Sequence, residues 1–508
     1  MRQQLGSLHD EARDQVLAAA GLVGRMWDRD PTVLAPAGET SELFGWLDLP
    51  TTTAARAPSL RRLADEVRVE GITDVLLLGM GAASLHARTL ASLLDTTVPH
   101  LHLLDSTHPD AVARLRAAFD PRTWLVVAAS KSGTTLETRS LLARFHADLV
   151  DALGHDEAGR HLVVLTDPDS PLARVGRDAG ARAVVLGDPD AVGSHAALGV
   201  FAMLPAALLG LDVRAHLAAA DPAIARSQQV DLADNTAARL GAVLAAASRR
   251  GRHQLVLVVD EDHVDLGQWI AHVVGESLGK GGNGVVPQVD HHVEEPAAYG
   301  PDVVVVSLGD RPGLHAVADA GIPTVVLDPV RLDDLAAAVF DWQFAAAVAA
   351  GLLGVDPFHA PAAAAGEDRA RRILATGDVA VATVPAQQLV DALETGRRLS
   401  LWAWVDPGGP MPARLDAAAA TLRRRFGIPV TVEPCPRSLH LTGQHHKDGP
   451  PGGVHAFVVE PSATIVEVPG TDHDFGRLLS AQVAAEAADL RDFGRPVAVV
   501  DLDDLLAA

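Results

Sequence analysis

The sequence is poor in cysteine, in aromatic residues and in positive charge. Its 508 residues include a single cysteine, so no disulfide can form within the chain, and a cysteine-based zinc site is not favoured. Aromatic residues make up 4% of the chain and apolar residues 48%, which favours a helix-and-sheet core of small side chains. The formal net charge of −23 argues against partners such as nucleic acid or an anionic membrane.

Two further absences concern location. We expect no transmembrane helix, and the first 14 residues are polar and acidic rather than an apolar secretory core. We therefore expect a cytoplasmic protein. The length is sufficient for two to four domains with a large buried core.

Short apolar runs alternate with helical stretches, which is typical of a parallel α/β sheet. We predict a largely helical segment over 1–70, α/β domains over 71–220 and 235–372, and a smaller C-terminal α/β unit over 375–508. The predicted strands are Val75–Leu78, His100–Leu104, Trp124–Ala129, Leu162–Thr166, Ala183–Leu186, Gln254–Val259, Val303–Ser307, Thr324–Leu327, Val379–Val384, Leu399–Val405, Val430–Val432, Val454–Val459 and Val497–Asp501. Helices are predicted over 196–220, 267–279, 332–354, 411–425 and 473–491.

Residues 130–138 form the most informative motif, a polar turn directly after a predicted strand and before a predicted helix. The turn contains one lysine, one glycine and five hydroxyl side chains: Ser130, Ser132, Thr134, Thr135 and Thr138. An ordinary helix cap needs one hydroxyl, whereas backbone N–H groups at a helix start together with several hydroxyls suit a phosphate. The loop Gly79–Ser84 leaves the same predicted sheet edge, where open α/β sheets bind ligands.

Two other segments are candidates for chemistry. Glu276 lies on a predicted helix face with Trp269 and Val273, and it is either a solvated glutamate or a buried general base. The Gly-bounded loop predicted over 440–450 contains three histidines and Lys447, which could move protons, hold an anion or be merely polar.

These motifs, with others along nearly the whole chain, resemble the glucose-6-phosphate isomerase family, a pair of sugar-isomerase (SIS) domains. The likeness is to the actinobacterial type and to the isomerase half of transaldolase–isomerase fusions. The segments that carry it are Trp27–Pro31, Leu43–Asp48, Gly79–Ser84, Leu104–Thr107, Ser130–Thr138, Thr166–Pro168, Gly187–Leu198, Trp269–Pro287, Gly354–Phe358 and His440–Pro450.

The resemblance implies an aldose–ketose isomerase of glucose 6-phosphate and fructose 6-phosphate, dimeric, with the site near the subunit interface and with no metal or organic cofactor. The implied substrate-binding residues are Ser84, Ser130, Lys131, Ser132, Thr134, Thr135, Glu137, Gly193 and Ser194. Glu276 would move a proton between C2 and C1 through a cis-enediolate. His445 and Lys447 are catalytic candidates, although any of His440, His445, His446 or Lys447 could open the sugar ring.

Four departures from the family pattern bear on turnover. Where the family has an Arg that stabilises the enediolate, this chain has His195, which as a neutral imidazole could act as an electrophile. Ala83 replaces a family glycine before Ser84, Ala360 replaces the glutamine of the family's Phe-Asp-Gln segment, and Glu367 aligns with a family lysine. Two alternatives therefore accompany the isomerase hypothesis: a sugar-phosphate-binding or regulatory protein with impaired catalysis, and an isomerase of a different sugar phosphate.

Overall fold

The computed structural model describes residues 1–35, 37–39, 41–94, 99–377, 385–394 and 396–508. Its strands form three sheets. The strands are β1 (Arg2–Gln4), β2 (Asp74–Leu78), β3 (His100–Leu104), β4 (Trp124–Ala129), β5 (Leu162–Thr166), β6 (Ala183–Leu186), β7 (Gln254–Val258), β8 (Val286–Asp290), β9 (Val303–Leu308), β10 (Thr324–Leu327), β11 (Arg398–Trp404), β12 (Val430–Pro434), β13 (Gly453–Val459) and β14 (Val497–Val499).

Helices alternate with these strands and also connect the sheets. They are α1 (His9–Trp27), α2 (Leu49–Val69), α3 (Ala82–Leu93), α4 (Pro109–Ala118), α5 (Leu136–Leu153), α6 (His155–Ala158), α7 (Pro171–Asp178), α8 (Val200–Leu208), α9 (Val213–Ala218), α10 (Asp221–Ser227), α11 (Thr236–Arg249), α12 (Val264–Leu278), α13 (Leu314–Asp319), α14 (Leu335–Leu353), α15 (Pro361–Thr376), α16 (Gln387–Leu393), α17 (Met411–Phe426), α18 (Arg437–Leu441), α19 (Gly443–Asp448), α20 (Phe475–Asp492) and α21 (Leu502–Ala507).

The first sheet has the strand order β3-β2-β4-β5-β6, with all strands parallel. Alternate residues of β4 face two separate hydrophobic cores, with Val127 in one and Val126 in the other. Burial on both faces explains why this strand is a continuous apolar run in the sequence. Because β4 lies at the centre of the sheet, the polar turn that follows it starts at the middle of the sheet's carboxyl edge.

The second sheet has the order β1-β10-β9-β7-β8 and the third the order β12-β11-β13-β14. All their pairings are parallel except that of the edge strand β1, which pairs antiparallel with β10. The predicted α/β fold class, with parallel sheets flanked by helices and a smaller C-terminal sheet, is confirmed. The domain boundaries remain predictions.

The strand predictions agree with the structure to within two residues, apart from Val379–Val384, which lies outside the described residues. Two strands were not predicted. β1 is polar and exposed, and β8 contains Pro287 and two polar residues, so neither edge strand has the apolar run that marks a buried strand.

One sequence interpretation was wrong. The segment predicted as a loop over 440–450 is mostly helical, in α18 and α19, because its side chains are buried against neighbouring helices. The segment Leu332–Leu353 is long and apolar enough to cross a membrane by length and composition. However, 78% of its apolar window is buried inside the protein, where Phe340, Phe344 and Val348 lie in the core.

Candidate active site

The turn between β4 and α5 is held in shape by its own hydroxyls. Ser130 Oγ lies 2.9 Å from Thr135 Oγ1 and accepts a hydrogen bond from the Gly133 N–H at 3.1 Å. Ser132 Oγ lies 2.9 Å from Thr134 Oγ1. Gly133 has a φ of +69°, a left-handed conformation that glycine adopts at no steric cost. The hydroxyls therefore stabilise a tight turn that leads directly into the first turn of α5.

Several backbone N–H donors of this turn make no hydrogen bond to the described residues. The N–H groups of Lys131, Ser132 and Thr135 have no acceptor within the described part of the chain. The Lys131 ammonium, in contrast, is used internally, because it bonds to the Asp167 carboxylate and to the Asp188 carbonyl oxygen. Lys131 can therefore contribute its backbone to an anion here, while its side chain anchors the loop to the strand edge.

Ser84 lies next to the start of this turn. A Cβ at Gly79 would lie 2.3 Å from Ser84 Oγ and 3.3 Å from the Ala129 carbonyl oxygen, so the hydroxyl sits at the carboxyl ends of β2 and β4. Gly193 and Ser194 form a short 3-10 turn, where Ser194 Oγ lies 3.1 Å from His195 Nδ1.

Glu276 is held in a nearly dry environment on α12. Its carboxylate lies 3.0 Å from His272 Nε2, one helical turn earlier, and its side chain is 14% exposed. The other ring nitrogen, His272 Nδ1, lies 2.7 Å from the Leu441 carbonyl oxygen. Because a carbonyl oxygen only accepts, Nδ1 carries a proton and Nε2 is directed at the carboxylate. Burial raises the pKa of Glu276, partly offset by the positive groups around it.

His440 pairs with Glu137, the second residue of α5. His440 Nε2 lies 2.8 Å from Glu137 Oε1, which also accepts a hydrogen bond from Gln482 at 2.6 Å. Burial disfavours the charged imidazole, but the negative charge of Glu137, with smaller contributions from Glu367 and Glu276, raises the pKa of His440 to about 9. His440 is therefore an imidazolium at neutral pH and can donate a proton.

Two consecutive residues of α18 join these two halves of the site. The side chain of His440 contacts Glu137, just after the turn 130–135, and the carbonyl of Leu441 contacts His272 beside Glu276. The candidate base, the imidazolium and the helix that follows the turn therefore converge at one place. The region of the third sheet contributes to the same site as the first two.

Lys280 and His195 lie on the Glu276 side of the site. Lys280 is buried and donates to the Asp356 carbonyl oxygen, and burial lowers its pKa to about 8. His195 is wholly buried between the rings of Trp46 and Phe358, at centroid distances of 5.1 and 5.3 Å. Burial lowers the pKa of His195 to about 3, so the ring is neutral. Its role as an electrophile remains a prediction.

The two catalytic candidates of α19 make internal contacts. His445 packs against the backbone of α12, where a Cβ at Gly275 would lie 2.4 Å from its Nδ1. Lys447 Nζ lies 2.7 Å from Glu486 and 3.4 Å from Asp489, with its side chain 1% exposed. Their predicted catalytic roles are untested, and these contacts give each of them a packing function.

Sequence reasoning assigned no role to four groups at the site. His272 precedes Glu276 by four residues on one helix, a spacing that places both on one face and could have identified it. Lys280 follows in the same motif. Glu367 and Arg371 lie on α15, a helix that was not predicted. Both contact the segment 130–138. The Leu136 N–H donates to Glu367 Oε1 at 2.9 Å, and Arg371 Nη2 donates to the Thr134 carbonyl oxygen at 2.5 Å.

The fold is shared with solved structures. A hypothetical protein from Thermus thermophilus superimposes with a TM-score of 0.63 at 24% identity, covering 74% of this chain and 100% of that one. A glucose-6-phosphate isomerase from Chlamydia trachomatis gives 0.60 at 14% identity, covering 73% and 86%. The chain therefore has the SIS-type fold of the phosphosugar isomerases, as predicted.

Sequence relatives are more specific. A glucose-6-phosphate isomerase of Thermus thermophilus is 33% identical over 252 residues, which are 49% of this chain and 58% of that protein. One of Rubrobacter xylanophilus is 27% identical over 418 residues, 70% of this chain and 95% of the relative. No family model matches. The chain thus spans little more than half the length of the Thermus relative, and its resemblance to the glucose-6-phosphate isomerases is confirmed.

Proposed function

We propose that this protein is an aldose–ketose isomerase that interconverts glucose 6-phosphate and fructose 6-phosphate. The observation that carries the proposal is the convergence of a buried glutamate and a charged imidazole beside a turn with unused N–H donors. A sugar phosphate carries the groups that such a site would bind, a dianion at one end and acidic C–H bonds beside a carbonyl at the other. The names of the relatives support the same activity.

The phosphate would bind at the turn 130–135, through the free N–H groups and the hydroxyls. His440, charged and oriented by Glu137, would donate a proton to the ring oxygen as the C1–O5 bond breaks and the C1 hydroxyl releases its proton to water, which gives the open-chain aldehyde. Ring opening and the later proton transfer would thus be carried out by different residues.

Glu276, in its ionised form, would remove the proton from C2 of the open-chain aldose. The electrons form the C1–C2 double bond of a cis-enediolate and leave the negative charge on O1; the O2 hydroxyl proton then passes to O1, and O2 becomes the ketone oxygen as C1 is protonated. Glu276 returns its proton to C1. Its raised pKa suits a base that must both take and release a proton near neutrality. Lys280 would stabilise the negative charge on the enediolate oxygens.

A second candidate is a sugar-phosphate-binding protein with little turnover. It is favoured by His195, which takes the place of the family arginine but is neutral and wholly buried. We also propose that the protein is a cytoplasmic homodimer. A formal net charge of −23 supports the further proposal that it binds neither nucleic acid nor an anionic membrane. Sedimentation at micromolar concentration tests the dimer.

The deciding experiment measures glucose 6-phosphate formation from fructose 6-phosphate together with deuterium uptake at C1 and C2. Glu276→Gln should abolish both while retaining binding of the substrate, with a loss of kcat of at least about 10³-fold. Glu66→Gln, at an exposed position of α2, is the matched control and should be unchanged. A wild-type protein that binds the sugar phosphate but shows no exchange would establish the binding protein instead.

A further inference from the structure

Arg371 reaches from α15 to the phosphate loop with part of its guanidinium unused. Its Nη2 donates to the Thr134 carbonyl oxygen at 2.5 Å and to Glu367 Oε1 at 2.6 Å, and its Nη1 donates to Asp368 at 3.1 Å. An arginine has five N–H donors. Its Nε hydrogen and one Nη1 hydrogen have no acceptor among the described residues, and the side chain is 37% exposed.

Glu367 holds both the arginine and the helix that follows the loop. The same oxygen that accepts from Arg371 accepts the N–H of Leu136, the first residue of α5. The Glu367 carboxylate is thereby fixed at the N-terminus of α5, and the same helix end would attract a phosphate dianion. Arg371 supplies the compensating charge, without which the two anions would repel each other across a short distance.

Resting on the proposed function, we infer that Arg371 binds the phosphoryl group of the substrate, and that Glu367 is the positioning residue that aims the guanidinium. A hydrogen bond from a guanidinium N–H to a phosphate oxygen is charge-assisted, and a guanidinium already fixed in place loses little freedom on binding. The loop offers N–H donors on one side of the phosphate, and Arg371 offers donors and charge on the other.

The test combines steady-state kinetics with binding of inorganic phosphate. Arg371→Gln should raise the KM for fructose 6-phosphate by about 10- to 100-fold, as expected for a charge-assisted hydrogen bond, and leave kcat within about threefold. The dissociation constant of inorganic phosphate, measured from the shift of the unfolding temperature, should rise by a similar factor. Arg371→Lys should give intermediate values of KM and of the phosphate dissociation constant, because an ammonium keeps the positive charge but lacks the planar guanidinium group.

Arg372→Gln is the matched control, since Arg372 is the next residue of α15 and its side chain is exposed. It should leave KM and phosphate binding unchanged. Unfolding temperatures without phosphate identify any variant that is misfolded. An unchanged KM and an unchanged phosphate affinity in Arg371→Gln would overturn the inference.

The role of Glu367 has its own test. If Glu367 positions Arg371, Glu367→Gln should weaken phosphate binding when Arg371 is present but not when it is added to Arg371→Gln, because that background has no guanidinium to aim. An unchanged phosphate affinity in Glu367→Gln, or a loss of equal size in both backgrounds, would overturn this role. If the wild type shows no isomerase activity but its phosphate binding depends on Arg371, the proposed function fails and the inference stands.

Discussion

The pair formed by Glu276 and His272 allows a specific pH experiment on the proposed base. His272→Asn is the informative change, because the Asn amide can take the place of Nδ1–H toward the Leu441 carbonyl while nothing replaces Nε2. The variant should therefore keep the orientation of α18 and lose only the contact with the carboxylate. The structure predicts a change in the pKa of Glu276 and little else.

The direction follows from the charges around the carboxylate. Burial raises the pKa of Glu276, and His272 contributes the largest opposing effect, so its removal raises that pKa further. A positive group in contact with a carboxylate typically lowers its pKa by about 1–2 units. Since the base acts ionised, the acid limb of log kcat/KM should move to higher pH by that amount.

The assay is kcat/KM for fructose 6-phosphate between about pH 5.5 and 9.5, with excess coupling enzyme. Below the shifted limb the variant should be about 10- to 100-fold slower than wild type, and at alkaline pH the two should converge. His272→Gln should shift the limb less, because its amide can still donate to Glu276. His292→Asn changes an exposed histidine, 76% accessible beside Glu294, and serves as the control. A loss of equal size at every pH would refute the reasoning.

Two further predictions concern stability. The pKa of His440 is raised from 6.5 to about 9, so the folded state binds this proton more tightly than the unfolded state does. Relative to His440→Asn, the charged imidazole should stabilise the fold by roughly 3 kcal/mol below about pH 6.5. This stabilisation should be lost as the pH rises through 9. Urea unfolding at pH 6 and pH 9.5 checks this, and a pH-independent difference would contradict it. Lys447→Met should cost about 3–5 kcal/mol in urea unfolding, because it leaves Glu486 buried without its cation, while Asp489 keeps its ion pair with Arg369; KM should stay within about twofold. Lys447→Met/Glu486→Gln should regain part of the loss, and a cost below about 1 kcal/mol would contradict the packing role.

Much of the fold was predictable because its central strands are buried on both faces. β4 and β5 are continuous apolar runs bounded by polar turns, so their positions follow from hydrophobicity alone. The edge strand β1 is polar and gains its conformation from pairing with β10, which no local pattern reveals. Helices α18 and α19 likewise form because burial outweighs the weak helix preference of their glycine and histidine residues.

The site divides in the same way. The phosphate turn and Glu276 were predicted because a hydroxyl-rich loop and a carboxylate on an apolar face are local patterns. The sequence could not show which of four basic residues, His440, His445, His446 or Lys447, would open the sugar ring. His440 is distinguished by its contact with Glu137, which lies 303 positions away in the sequence. Arg371 was not identified because no predicted strand directly precedes its helix. The rule that ligands bind where strands end at the sheet edge therefore did not point to it.

The position of α18 bears on how much of the chain the proposed activity requires. In the proposed mechanism His440 is the acid for ring opening, and the carbonyl of the next residue orients His272, which contacts the proposed base. Loss of the segment would remove the acid directly and would free His272 to rotate, which would alter the pKa of Glu276. The part of the chain around the third sheet is therefore required for both halves of the proposed chemistry, although the phosphate turn and the base lie in the regions of the first two sheets.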